Sequence, residues 1–100
     1  MCIGTVSGTE ITYSTAIVLD NSSTSILFAS FDPITPNRAL VVYASSDTST
    51  FGTVIVLTIT GTSISSGSPV VFNSALTNWA SLSFDPNTSG KFIVIYEDAG

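Results

Sequence analysis

Histidine is absent from the 100 residues, and only Arg38 and Lys91 carry positive charge. Without histidine the chain lacks the usual general base, the Ser-His arrangement and the commonest transition-metal ligand. Two cations against seven carboxylates leave a net charge of −5. Such a surface has no cationic cluster for a phosphate backbone or an anionic membrane. Cysteine occurs once, at Cys2, so no disulfide can close within the chain. The residue reads as a small buried apolar side chain, with an interchain bridge or a lipidated N-terminal cysteine as alternatives. A lone thiol with no partner base is also a poor nucleophile. No apolar run approaches the roughly 18 residues of a membrane span. Met1-Cys2-Ile3-Gly4 carries no basic segment ahead of a long apolar one, so no signal peptide is expected. Glycine-rich phosphate loops and Cys/His metal spacings are missing too. These absences set an expectation of a non-enzymatic protein without cofactor, metal, nucleic-acid partner or membrane span.

Hydroxyl and β-branched side chains are abundant. Charged residues make up 9% of the chain and apolar residues 44%, against roughly 25% charged in an ordinary soluble domain. Serine and threonine together fill 31 positions and take over the polar faces. Threonine and valine fit pleated, half-buried surfaces, and no stretch repeats apolar residues at helical spacing over three turns. The mixture predicts an all-β chain.

One stretch occurs twice. Ser30-Phe31-Asp32-Pro33-x-Thr35-x-x-Arg38-x-x-Val41-x-Tyr43 returns as Ser83-Phe84-Asp85-Pro86-x-Thr88-x-x-Lys91-x-x-Val94-x-Tyr96. Shifted by 53, the chain aligns to itself without a gap, and 13 of the 47 overlapping positions are identical. Most other positions exchange within a class, as Ile3/Val56, Leu19/Phe72, Asp20/Asn73 and Arg38/Lys91 do. Two tandem units follow, residues 1–47 and 54–100, joined by a connector at 48–53.

Each unit holds four strand candidates: Cys2–Ser7, Ile11–Leu19, Ser25–Phe31 and Arg38–Ala44, then Val54–Thr60, Ile64–Phe72, Asn78–Phe84 and Lys91–Glu97. Short polar turns join them, with Gly8 and Gly61 in equivalent hairpins and Asp32-Pro33 and Asp85-Pro86 in equivalent turns. Strands joined so tightly must be antiparallel. The predicted architecture is two tandem four-stranded blades of β-propeller type, completed by neighbouring chains or further repeats. Phe92-Ile93-Val94-Ile95 is apolar on both faces and is expected inside. Phasing the blade on the Asp-Pro hairpin leaves one whole blade between two halves, whose open edges invite strand exchange between chains.

Gly4-Thr5-Val6-Ser7-Gly8-Thr9-x-Ile11, its counterpart Thr58-Ile59-Thr60-Gly61-Thr62-Ser63-Ile64 and the Asp-Pro hairpins carry a resemblance over the whole chain. It resembles the arrays of propeller-like repeats in large surface, fibre and tail-associated proteins of aquatic bacteria and their phages. The first unit departs from that pattern at Tyr13-Ser14, where the second keeps Ser66-Gly67. The resemblance implies an extracellular, cell-surface or virion-associated repeat scaffold.

Few residues are candidates for chemistry. Asp32 and Asp85 read as turn formers ahead of Pro33 and Pro86, and Arg38 and Lys91 as charged guards of the hairpin. Glu97-Asp98 reads as a solvated strand end, with weak Ca²⁺ binding as the alternative. Tyr43 and Tyr96 close equivalent strands and Trp79 takes the place of Ile26. These three aromatics are the candidate ligand platform, with core-edge or inter-blade packing as their ordinary role. Asn21 and Asn87 sit in glycosylation sequons, which matter only in a secreted eukaryotic protein. Two functions from different classes follow: a homo-oligomeric ring, tube or filament built by strand complementation, or a module binding a surface glycan or receptor.

Overall fold

The computed structural model describes residues 1–46 and 49–100, with Ile26 described by its backbone only. Residues 47 and 48, at the predicted junction of unit and connector, lie outside the described residues. Those described form an all-β chain: β1 Gly4–Ser7, β2 Glu10–Tyr13, β3 Thr24–Phe31, β4 Arg38–Ser45, β5 Phe51–Thr60, β6 Ser63–Ser66, β7 Val70–Phe84 and β8 Phe92–Asp98. Among them no helix is long and apolar enough to cross a membrane.

Strands β3, β4, β5 and β6 are antiparallel neighbours in chain order, while β1 and β2 form a hairpin of their own. One edge of β5 is shared: β6 takes Leu57–Thr60 and the start of β7 takes Phe51–Val54. Beyond that pairing β7 turns away, joins β8, and lays its second half over β3 and β4. The sheet therefore curls into a half-barrel.

Curling buries β4 on both faces. Ala39, Val41 and Tyr43 point one way and meet Ile55, Leu57 and Ile59, with Met1, Ile3 and Leu19 against them. Leu40 and Val42 point the other way and meet Ala80 and Leu82, with Phe72 and Val94 alongside. Alternation along β4 thus serves two apolar clusters. Each fully buried aliphatic side chain contributes about 1.5–3 kcal/mol of transfer free energy.

The hairpins share their pairing at an offset of 53. Gly4 opposes Tyr13 as Leu57 opposes Ser66, and Phe31 opposes Ala39 as Phe84 opposes Phe92. Gly8 and Gly61 turn the two short hairpins with φ of 61° and 62°, and a Cβ at either would meet nothing. Backbone conformation, not space, requires glycine there: each is the first loop residue of a two-residue hairpin of II′ pattern. A bulge interrupts β3 between Ile26 and Phe28, and β7 between Asn78 and Ser81. Asp32 N–H and Asp85 N–H close their turns on the carbonyls of Arg38 and Lys91, at 2.9 and 2.8 Å.

Several of these expectations change. The strand predicted over Ile11–Leu19 ends at Tyr13, because the Ser14 hydroxyl takes the Ile3 N–H at 2.8 Å and Met1 pairs with Ile17, one residue out of step. The same slip occurs at Gly67 N–H to Val56 O and Val54 opposite Val70, so Ile64–Phe72 is split across Gly67-Ser68-Pro69. The break between the strands predicted to end at Phe72 and to begin at Asn78 is absent, and β7 runs through it. Asp20 builds a turn by accepting from Ser22 N–H at 2.8 Å, whereas Asn73 donates to Thr77 Oγ1 at 3.0 Å. The strand predicted from Val54 begins at Phe51, inside the predicted connector. Finally, β8 is largely exposed rather than interior, since among the described residues no strand flanks its outer edge as β5 flanks β4.

Candidate functional site

The most distinctive surface of the molecule is the outer side of β8. Its residues match those of β4 in chain pattern but not in burial. Leu40 and Val42 are 4% and 0% exposed, whereas Ile93 and Ile95 are 59% and 67% exposed. Sequence similarity cannot separate these pairs. The cover that β7 gives Leu40 and Val42 makes the difference.

The polarity of the open edges follows from their hydrogen bonds. Lys91 O accepts from Asp85 N–H, so in β8 the amides and carbonyls of Phe92, Val94 and Tyr96 point away from β7. Ser14 N–H donates to Ile3 O, which leaves Cys2, Gly4 and Val6 facing outward on β1. Between β1 and the face of β3 and β4 lies an apolar cleft of about 280 Å³, lined by Cys2, Gly4, Ala29, Phe31 and Val41 among others.

A second cluster ties the two Asp-Pro turns together. Asp32 is buried, and its Oδ1 accepts from Ile34 N–H at 2.9 Å and Thr35 N–H at 3.2 Å. Its Oδ2 accepts from Arg38 Nη2 at 2.5 Å and Nε at 3.1 Å, and from Gly90 N–H at 3.3 Å. Thr35 and Ser89 join their hydroxyls across the same gap. Burial pushes the Asp32 carboxyl up, but Arg38 and the three backbone donors outweigh it and hold it well below the usual carboxylate range. Asp85, its counterpart, accepts only from Asn87 N–H at 2.9 Å among the described residues.

A pH dependence follows. A carboxyl whose folded pKa is depressed adds stability above its unfolded value of about 3.9, and that contribution fades as pH falls toward the folded value. Asp32→Asn should therefore melt below wild type at pH 7, and the gap should narrow steadily below about pH 4. Thermal melts followed by circular dichroism across that range check this, and a gap unchanged down to about pH 2 would refute it.

The three aromatics occupy three different environments. Tyr43 is buried in the Val41–Ile55 cluster, where burial, then the Asp20 charge, pushes its phenol up. Tyr96 packs on Phe72 with ring centroids 5.1 Å apart. Trp79 is 80% exposed, at φ 47° within the β7 bulge. It lines a cleft of about 460 Å³ with Ser23, Ser25, Leu27, Thr77 and Asn78. Pro33 and Pro86 stand exposed in their turns, and Cys2 is exposed rather than buried.

Sequence reading missed two features. The Asp32–Arg38 pair was visible only as two residues flanking one turn, although their spacing across a hairpin brings them together. The contrast between β4 and β8 had no sequence signal at all.

The fold and its open edges define an all-β half-barrel module with apolar residues presented along β8, a strand paired with β7 on one edge only among the described residues. Compared with known protein families, curated proteins and solved structures, the chain shows no match.

Proposed function

We propose that this chain is a non-enzymatic structural module that self-assembles by strand complementation into a ring or filament on a cell or virion surface. The observation that carries this reading is the antiparallel run β3-β4-β5-β6, whose β5 also takes the start of β7, together with the β1–β2 and β7–β8 hairpins, which match the β5–β6 and β3–β4 pairings in register. On this reading the middle four strands serve as one blade of propeller type, and β1–β2 and β7–β8 as halves of two others. Open edges on both halves favour closure between chains, and the rotation per step decides ring or filament. The location rests on the resemblance of the repeat to surface and tail-associated arrays. Electron microscopy and sedimentation of the purified chain test it. Regular rings or filaments are expected, and a 10.4 kDa species at every concentration would overturn the reading.

A second reading has one specific observation in its favour. Trp79 stands exposed at positive φ beside a hydroxyl-lined cleft, and strained exposed aromatics recur at ligand sites. In that reading the chain binds a surface glycan by stacking a sugar on the indole. Glycan-array retention that disappears in Trp79→Ala would favour it.

A further inference from the structure

We propose that β8 of one copy inserts into the apolar cleft between β1 and the β3–β4 face of a second copy, pairing antiparallel with β1. The inference rests on the self-assembly reading and gives it an address. Within the chain, β4 pairs with β5 as Arg38 with Thr58, Ala39 with Leu57, Leu40 with Val56 and Val41 with Ile55. Strand β8 carries the residues 53 places after β4, and β1 those 53 places before β5. The same pairing between copies sets Lys91 opposite Thr5, Phe92 opposite Gly4, Ile93 opposite Ile3 and Val94 opposite Cys2 of the second copy.

Three features agree with that register. The outward amides of β8 belong to Phe92, Val94 and Tyr96, and those of β1 to Cys2, Gly4 and Val6. Phe92–Gly4 and Val94–Cys2 are therefore hydrogen-bonded pairs, as an antiparallel ladder demands.

The cleft itself lies where the strand must go. Val94 already packs on the Leu40–Val42 cluster, so alternation turns Ile93 and Ile95 outward. The equivalent face of β4 is covered by Leu82, whose counterpart 53 residues earlier is the exposed Ala29. Ala29 and Val41 form one wall of the cleft and Cys2 and Gly4 the other. A strand seated there gains its ladder from β1 and its apolar cover from β3 and β4 together.

The turns match as well. Gly90 N–H, at φ 75°, reaches Asp32 of the preceding hairpin. Asn37 is its counterpart, at φ 63°. The pairing carries Asn37 of the second copy to the same place against Asp85, whose carboxylate is otherwise nearly unpartnered.

The native Cys2 supplies the reporter. Opposed residues of a hydrogen-bonded antiparallel pair lie about 5.5 Å apart at Cα, inside the range a disulfide bridges. Val94→Cys should oxidise to a ladder of covalent oligomers roughly tenfold or more faster than Ile95→Cys, because a docked thiol is presented at high effective concentration. The ladder should vanish in Cys2→Ser/Val94→Cys. If sedimentation shows association but the two cysteine variants cross-link alike, the register is overturned and self-assembly stands. If wild type stays monomeric at all concentrations, both fall. Should Val94→Cys fail to fold, hydrogen exchange on wild type decides: amides of Cys2, Gly4, Phe92 and Val94 should gain protection with concentration, and unchanged protection overturns the proposal.

Discussion

Leu40→Ala is expected to cost about 3 kcal/mol, within the 2–5 kcal/mol range of buried leucine truncations. Leu40 is 4% exposed and meets Ala80 and Leu82, which come from the far end of the chain. Its neighbours cannot collapse into the gap. Val42 beside it is fully buried, and β4 is held on both edges by β3 and β5. The loss thus combines transfer free energy with a residual cavity, and should lower Tm by roughly 10–20 °C in a domain of this size. Urea denaturation should show a lower midpoint at unchanged slope, the mark of a stability change without a change in the exposed surface. Ile93→Ala removes an aliphatic side chain from the equivalent position of β8. In the isolated chain it should cost under about 1 kcal/mol, because that side chain is mostly solvated there. Equal losses at the two sites would mean that β8 is covered in solution and β4 is not special. Near-wild-type stability for Leu40→Ala would remove the buried β4 from the account of this fold.

This contrast also marks how far the amino-acid pattern reaches. Strand existence is legible locally: alternation in Val54–Thr60, turn chemistry at Gly61 and at Asp85-Pro86, and the absence of helical spacing all come from short range. Pairing partners of consecutive strands are legible too, since two-residue loops permit only antiparallel return. What lies beyond is set by neighbours distant in sequence. Leu40 and Ile93 look alike to any local rule, and the cover of β7 decides which is buried. Asp20 and Asn73 also look interchangeable, yet Asp20 accepts from Ser22 N–H and stops the chain in a turn. Asn73 instead donates to Thr77 and lies within β7, which runs unbroken for 15 residues in all. Exchange within a class preserved shape and reversed a hydrogen bond. The open edges, on which the proposed assembly depends, could be inferred from the phase of the repeat. Their polarity and the cleft beside β1 could not.

Gly52→Ala tests the point at which β7 leaves β5. Gly52 has no positive φ, so its conformation suits any residue and the constraint is space. A Cβ there would lie 2.6 Å from Phe72 Cζ, 2.7 Å from Phe72 Cε2 and 2.8 Å from Thr77 Oγ1. Neither wall yields freely. The Phe72 ring is packed on Tyr96, and Thr77 is buried while bonding Asn73 Nδ2 and Ala75 O, each at 3.0 Å. The pairing of β5 with β7 is already irregular on both sides of Gly52, which is how β7 swings from the β5 edge toward β8. Overpacking at a site of this kind costs about 1–3 kcal/mol. The larger consequence is geometric: displacing Phe72 and Thr77 moves the root of the segment that carries Ala80 and Leu82 onto Leu40 and Val42. Gly52→Ala should therefore lower Tm and also speed hydrogen exchange in β4, far from the substitution. Phe72→Leu, by clearing the tighter wall, should make the double variant less destabilised than the sum of the two single changes. Simple additivity would place the strain elsewhere, and a Gly52→Ala chain as stable as wild type would show that β7 is free to shift at this corner.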